Sequence, residues 1–551
     1  MTGKYIKKVL VTGLAVGTLL TGCSSSAGQA AADASASGEL TDAKQGEDAE
    51  TETAADESSE PVAISIDKCS LGNPVVGDPE NLIYGGDPSV LVDGDTVYLY
   101  TGHDASTDDE VAKATYNIPE YFCYSSTDMI NWNPEGVVMT MDTVSWASND
   151  TSAWAAQVMK HYDETAGKDM YYLYFCTWDK TGKQSIGVAT SDSPKGPFTD
   201  IGEPLVRGAQ TKPATSSYND IDPTAWIETD EEGVEHRYLA WGNGIFYICQ
   251  LNEDMISVTD INGDGDITSG KVYGEDDIVA KTTGLDSYTE APWLYRRQDE
   301  NGNYYGDYYL FFAHQWRECM AYATTDDLLN GEWSQTKLIM YPTSTSNTNH
   351  MGVCDFKGET YFIYHNGSLP KGNGYRRSAC VRKLTFNEDG SIDLMEETSA
   401  GVGGTASTIE SADGAKISHE GYVNSIADSD YPYGDVKLGA DIGHEDEDAL
   451  WVIRPGKADM SNETYVSLES ENKSGLYITG KKDGPCILSQ DTSASEEMYE
   501  RQTFETVEGL SDSQGVSFRC VHYENKYLTF VDGELTLTDG SDAEAATFYI
   551  K

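Results

Sequence analysis

The chain has 551 residues, with 92 Asp and Glu against 37 Lys and Arg and a formal net charge of -55. That length exceeds one ordinary domain. The acidic balance excludes nucleic acid as a partner, because phosphate binding needs clustered Lys and Arg, whereas it does not oppose a neutral polysaccharide.

At the N-terminus Lys4, Lys7 and Lys8 precede an apolar run, Val9 to Leu20, that ends in Leu20-Thr21-Gly22-Cys23. A basic start, a short apolar core and small residues before a cleavage point read as a secretory signal. The run is shorter than the roughly 20 residues a membrane-spanning helix needs. Its ending resembles a bacterial lipobox, so residues 1–23 are expected to be a lipoprotein signal with Cys23 as the lipidated mature terminus. The protein would then be extracellular, touching the bacterial cell membrane through that lipid alone. Residues 24–65 are rich in Ala, Ser, Asp and Glu, too poor in apolar surface to offset chain entropy, and are expected to form a disordered acidic tether.

From about Pro61 the texture changes to aromatics alternating with turn residues. Tyr-rich strand signals then recur about every 50 to 75 residues. They are Val97-Tyr98-Leu99-Tyr100, Tyr171 to Phe175, Tyr238-Leu239-Ala240-Trp241, Tyr308 to Phe312 and Tyr361-Phe362-Ile363-Tyr364. Further short strands lie between them, at Tyr121 to Tyr124, Ile186 to Ala189 and Met320 to Ala323, and no long amphipathic helix is evident. Five units of about four strands predict an all-β, five-bladed β-propeller over residues 66–402. A large β-sandwich or jelly roll is the alternative, disfavoured by the regular recurrence. Nine cysteines besides Cys23 lack any C-x-x-C pair, and several fall inside strand signals, as small buried hydrophobes do.

Three carboxylates stand in apolar or turn-rich settings: Asp87 in Tyr84-Gly85-Gly86-Asp87-Pro88, Asp222 in Asp220-Ile221-Asp222-Pro223, and Glu290 in Thr289-Glu290-Ala291-Pro292-Trp293. A carboxylate beside apolar neighbours is costly unless paired or put to use. Each lies one strand ahead of a Tyr signal, so innermost strands would bring all three to one axis. Such a trio is material for acid–base hydrolysis of a glycosidic bond.

With these go Ser125 to Trp132, Ala153-Trp154-Ala155, Asn349-His350-Met351-Gly352 and Gly374-Tyr375-Arg376-Arg377-Ser378. Together, from about Asn73 to Ile392, they resemble glycoside hydrolase family 43, in particular its arabinoxylan arabinofuranohydrolase and β-xylosidase branches. The resemblance implies an inverting enzyme with Asp87 as general base, Glu290 as general acid and Asp222 tuning and orienting the acid. Inversion needs room for a water, so the Asp87 and Glu290 carboxyls are expected roughly 6.5–9.5 Å apart. Arg377, or its neighbour Arg376, is expected to pair with site carboxylates, and Trp154 to stack on the sugar. Ala156-Gln157 departs from the Pro and acidic residue frequent there in the family. His350 corresponds to the family's axial His, beside a Ca²⁺ or water site. No cofactor is required for the chemistry, and a structural Ca²⁺ is left open. The run Asp260-Ile261-Asn262-Gly263-Asp264-Gly265-Asp266 resembles an EF-hand loop but has Lys271 at position 12, which favours a solvated turn.

Beyond about Gly401 a segment repeats roughly every 45 residues. Tyr465 to Asn472 with Leu476 to Thr479 parallels Val516 to Cys520 with Lys526 to Thr529. Residues 403–551 are expected to form a β-trefoil. They resemble the carbohydrate-binding module family 42 of α-L-arabinofuranosidases, which implies sugar contacts from Tyr477 and Tyr527, with His419 and Tyr422 as further candidates.

The expected activity is release of α-L-arabinofuranosyl groups from arabinoxylan or arabinan of plant cell walls by a monomeric enzyme. A β-xylosidase or endo-arabinanase on the same scaffold, and a catalytically silent surface glycan-binding protein, are the alternatives.

Overall fold

Four-stranded antiparallel sheets recur along the chain. In the computed structural model the first blade runs Gly85–Asp93, Thr96–His103, Glu120–Ser126 and Asn133–Thr140, each strand pairing with the next. The second (156–200) and fourth (288–340) blades repeat that order; the third (224–281) has five strands and the fifth (352–384) three. The innermost strand of each blade is its first in sequence. Gly85–Asp93 lies against Ala156–Asp163 and Gly352–Phe356, and Thr224–Thr229 and Tyr288–Gln298 complete the closed ring. All five Tyr-rich signals form the second strand of their blade, as the recurrence predicts.

Most positions of these second strands are apolar because both faces of a blade are covered. Tyr171 to Cys176 are all buried, some turned towards the first blade and some towards the third. The hydrophobic clusters are accordingly layers between neighbouring blades. All nine described cysteines are unpaired, and all but Cys69 are buried.

The residues described are 60–75, 82–230, 232–281, 284–421 and 436–551, within one compact unit that starts at Glu60. The signal, the lipobox, tether residues 24–59 and Tyr422 lie outside them. The only α-helices among the described residues are short, Asp108–Ala112 and Glu496–Arg501, and none is long and apolar enough to cross a membrane.

The C-terminal part has its own all-β core, around Trp451, Phe504, Phe518 and Phe548, with twelve strands linked in one hydrogen-bonded system. Its internal repeat is visible in side-chain detail. Thr479 Oγ1 donates to the Tyr477 carbonyl and bonds Ser489 Oγ, and Thr529 Oγ1 does the same with the Tyr527 carbonyl and Thr538 Oγ1. Residues 62–66, placed by composition at the end of the tether, lie against this core: Ala63 bridges Val507 and the Ile64 amide donates to Thr506. Arg454 binds the propeller's flanks to this core, donating to Glu469 at 2.8 Å, to the Asn73 carbonyl at 2.8 Å and to the Ser399 carbonyl at 2.7 Å.

Candidate active site

The acids reach the axis by a shared local device. Asp87 has φ of 51°, Asp222 of 60°, and Ala291, directly after Glu290, of 56°. Non-glycine residues seldom adopt this left-handed region, and strain of this kind gathers at functional sites. Strand register breaks between Gly86 and Ser89 and on both sides of Glu290, and such bulges re-aim a side chain. A proline follows each left-handed residue: Pro88, Pro223 and Pro292. Gly86 is required by a close approach, since a Cβ there would lie 2.2 Å from the Arg377 guanidinium.

Asp87, Asp222, Glu290, Trp154 and Arg377 line one cavity of about 640 Å³, a volume suited to a small ligand. Glu318, Asn243, Tyr116, Trp178 and Trp316 also line it. None of these five stands in a motif that sequence reading could use.

On one side of the cavity Arg377 Nη1 donates to Asp87 Oδ1 at 2.6 Å, while its Nε and Nη2 grip buried Asp104 at 2.8 and 2.9 Å. Burial is the largest single influence on Asp87 and opposes its charge, but the Arg377 guanidinium, helped by His350 and His365, holds the carboxyl below its ordinary range. Burial also pushes His350 down to about 4 and His365 down to about 3, so both are neutral near pH 7. The Asp87 amide donates to His365 Nδ1, leaving Nε2–H to donate to the Thr348 carbonyl at 2.8 Å.

In the same lining Asn243 Nδ2 donates to Glu290 Oε2 at 2.6 Å, and Asp222 Oδ2 accepts the Ala291 amide at 2.9 Å. Burial raises Glu290, aided by the Asp87 charge. It raises Asp222 well above the usual carboxylate range, with Glu290 repulsion next, and Glu318 for the same two reasons. Three buried carboxyls cannot all ionise together, so Asp222, Glu290 and Glu318 titrate as a unit. One carboxyl of the cavity is shifted down and the others up, which is the separation acid–base chemistry requires.

The remaining predicted residues separate clearly. Arg377, not Arg376, reaches the site carboxylates; Arg376 donates to Asp108 and the Ser106 carbonyl. Trp154 stands edge-on to Trp178, ring centroids 6.0 Å apart. Gln157, where the family pattern is broken, accepts the Ala225 amide and so ties the second blade to the third just after Asp222. His350 Nδ1 faces Asp87 Oδ1 at 4.0 Å. An imidazole beside an oxygen already bonded to Arg377 does not fit Ca²⁺, which takes six to eight oxygens. No group of three or more His, Cys, Asp or Glu among the described residues could hold a metal ion. The Asp260 carboxylate instead accepts its own loop's Gly263 and Gly265 amides.

Two expected sugar contacts differ in their surroundings. Tyr527 is only 6% exposed and packs with Val507 and Ala546; it is a core residue because its strand turns that face inward. Tyr477 lies under the Lys457 ammonium, 4.2 Å from its ring centroid, in the cleft between propeller and C-terminal core. His419 is fully buried and bonded to Ser470 and Asn472.

Residues 80–392 match the glycosyl hydrolases family 43. The chain belongs to that family. As a family 43 glycosyl hydrolase it also carries, over residues 435–550, an alpha-L-arabinofuranosidase B domain. A beta-D-galactofuranosidase of Aspergillus niger is 29% identical to this family 43 enzyme over 305 residues, 53% of this chain and 79% of that one. An arabinoxylan arabinofuranohydrolase of Paenibacillus polymyxa is 28% identical over 59% of this chain and 51% of its own length. A xylosidase/arabinosidase of Bacteroides ovatus is 26% identical over 57% and 95%.

Proposed function

We propose that this enzyme is an inverting α-L-arabinofuranosidase acting on arabinoxylan or arabinan. Asp87 draws a proton from water as that water attacks the anomeric carbon, while Glu290 protonates the departing glycosidic oxygen. Asp222 fixes the acid by accepting the Ala291 amide next to it and shares the cluster's protons. The observation that supports this reading is the lining of one cavity by Asp87, kept low by Arg377, and by Glu290, raised by burial. Inversion fits a separation of roughly 6.5–9.5 Å between those carboxyls.

The arabinofuranosidase B domain and the relative that acts as an arabinoxylan arabinofuranohydrolase favour arabinose over xylose. The xylosidase/arabinosidase relative keeps β-xylosidase as the second reading. Assay with nitrophenyl α-L-arabinofuranoside and β-D-xyloside tests the choice: faster turnover of the arabinofuranoside supports it, and exclusive turnover of the xyloside overturns it. The paired Thr–Tyr geometry at Tyr477 and Tyr527 supports a β-trefoil binding module at 403–551. The lipobox-like Cys23 supports anchoring outside the cell by lipid, with the enzyme taken as a monomer; loss of membrane association in Cys23→Ser tests the anchor.

A further inference from the structure

Glu318 is the pocket carboxyl that no sequence motif marks. It precedes the strand Cys319–Thr325, is 1% exposed and lines the cavity beside Glu290. Its placement is fixed: Oε2 accepts the Asn349 amide at 2.7 Å, and its carbonyl accepts the Asn349 side-chain amide. Its carboxyl lines the same cavity as that of Glu290 and lies within hydrogen-bond reach of it, acting there to favour the Glu290 anion. Two carboxyls can share such a bond only if one carries a proton. Glu290 already accepts from Asn243 through Oε2, so a second donor would complete a cradle suited to its anionic form.

We propose that Glu318 works protonated, as a positioning residue that donates to Glu290 and stabilises the carboxylate Glu290 becomes on releasing its proton. This rests on Glu290 being the acid. The glycosidic C–O bond breaks as water's oxygen bonds the anomeric carbon. The Glu290 proton goes to the leaving oxygen, the water proton goes to Asp87, and Glu318 keeps its own. The charged groups around Glu318 favour that protonated form. Burial and the Glu290, Asp222 and Asp87 carboxyls all oppose its ionisation. Arg377 is occupied by Asp87 and Asp104, and His350 is neutral.

The experiment is the pH profile of kcat/KM for Glu318→Gln and Glu318→Ala, with Glu290→Gln as reference, on nitrophenyl and dinitrophenyl arabinofuranosides. Thermal melts report folding. Gln retains an N–H donor, so Glu318→Gln is expected to keep its alkaline limb and stay within about threefold of the parent. Glu318→Ala loses the donor, so its alkaline limb is expected to rise by about one pH unit, with kcat down about tenfold on nitrophenyl. The loss should be smaller on dinitrophenyl, which leaves with little help.

An alkaline limb that falls in Glu318→Gln would mean that Glu318 works as an anion, and overturns the proposal. So does a Glu318→Ala limb that stays in place while only the melting temperature drops. A separate arm reports on the acid itself: equal loss on both substrates in Glu290→Gln removes that assignment, and this proposal with it.

Discussion

Arg377 meets Asp87 with a single guanidinium nitrogen, Nη1 to Oδ1 at 2.6 Å, because the other two are committed to Asp104. One cation thus serves two carboxylates, and it meets Asp87, a residue of the cavity lining, through Oδ1 alone. That is the geometry of a base kept ionised but not smothered.

Arg377→Met removes the charge that holds Asp87 down, and burial, which pushes upward, remains. The acid limb of kcat/KM is therefore expected to move to higher pH by more than about one unit. At pH 6 the loss should be about ten- to a hundredfold. Stability has the matching sign. A depressed Asp87 contributes stability above its unfolded pKa of about 3.9 and loses it as pH falls through its folded value. The variant should lack that contribution, which denaturant melts at pH 4 and pH 7 check.

Asp222→Ala leaves the buried Ala291 amide without its acceptor, whereas Asp222→Asn keeps an oxygen there. An unsatisfied buried amide costs about 1–3 kcal/mol. The alanine variant should melt several degrees lower, and the asparagine variant should keep more of the parent melting temperature. Calorimetry of the two side by side is the check.

The acids were legible in sequence because each stands in a short proline-bearing turn, and the blades because Tyr-rich second strands are covered on both faces. Glu318 was not legible. Gln315-Trp316-Arg317-Glu318 carries no motif, and its meaning appears only when the fourth blade brings it to Glu290. Tyr477 and Tyr527 could not be told apart for a related reason: an aromatic in an alternating strand reads alike whether its face meets a cleft, as at Tyr477, or core, as at Tyr527. The extra strand of the third blade and the missing one of the fifth left no trace either, since strands of two residues such as Ser269–Gly270 have no periodicity.

Trp316 is 64% exposed and Tyr218 43% exposed, yet both line the cavity. Exposed aromatics at a rim suit a polymer chain more than a single sugar. Trp316→Ala is expected to raise KM for arabinoxylan about three- to tenfold, the worth of one aromatic contact. KM for a nitrophenyl arabinofuranoside should change less than about twofold. Initial-rate kinetics on both substrates separate the two.

Arg454 joins residues 73 and 399 to Glu469, which is itself buried. Arg454→Met strands that carboxylate, and losing one partner of a buried pair costs about 3–5 kcal/mol. Expected are a lower melting temperature and earlier proteolysis near residues 70–75, read by limited digestion.

The account turns on a water attacking from the Asp87 side while Glu290 protonates the leaving oxygen from the other. The most direct measurement is proton NMR of the first sugar formed from nitrophenyl α-L-arabinofuranoside, recorded before mutarotation. A single displacement yields β-L-arabinofuranose first. Appearance of the α anomer first would mean a covalent intermediate, and would contradict the roles given to Asp87 and Glu290.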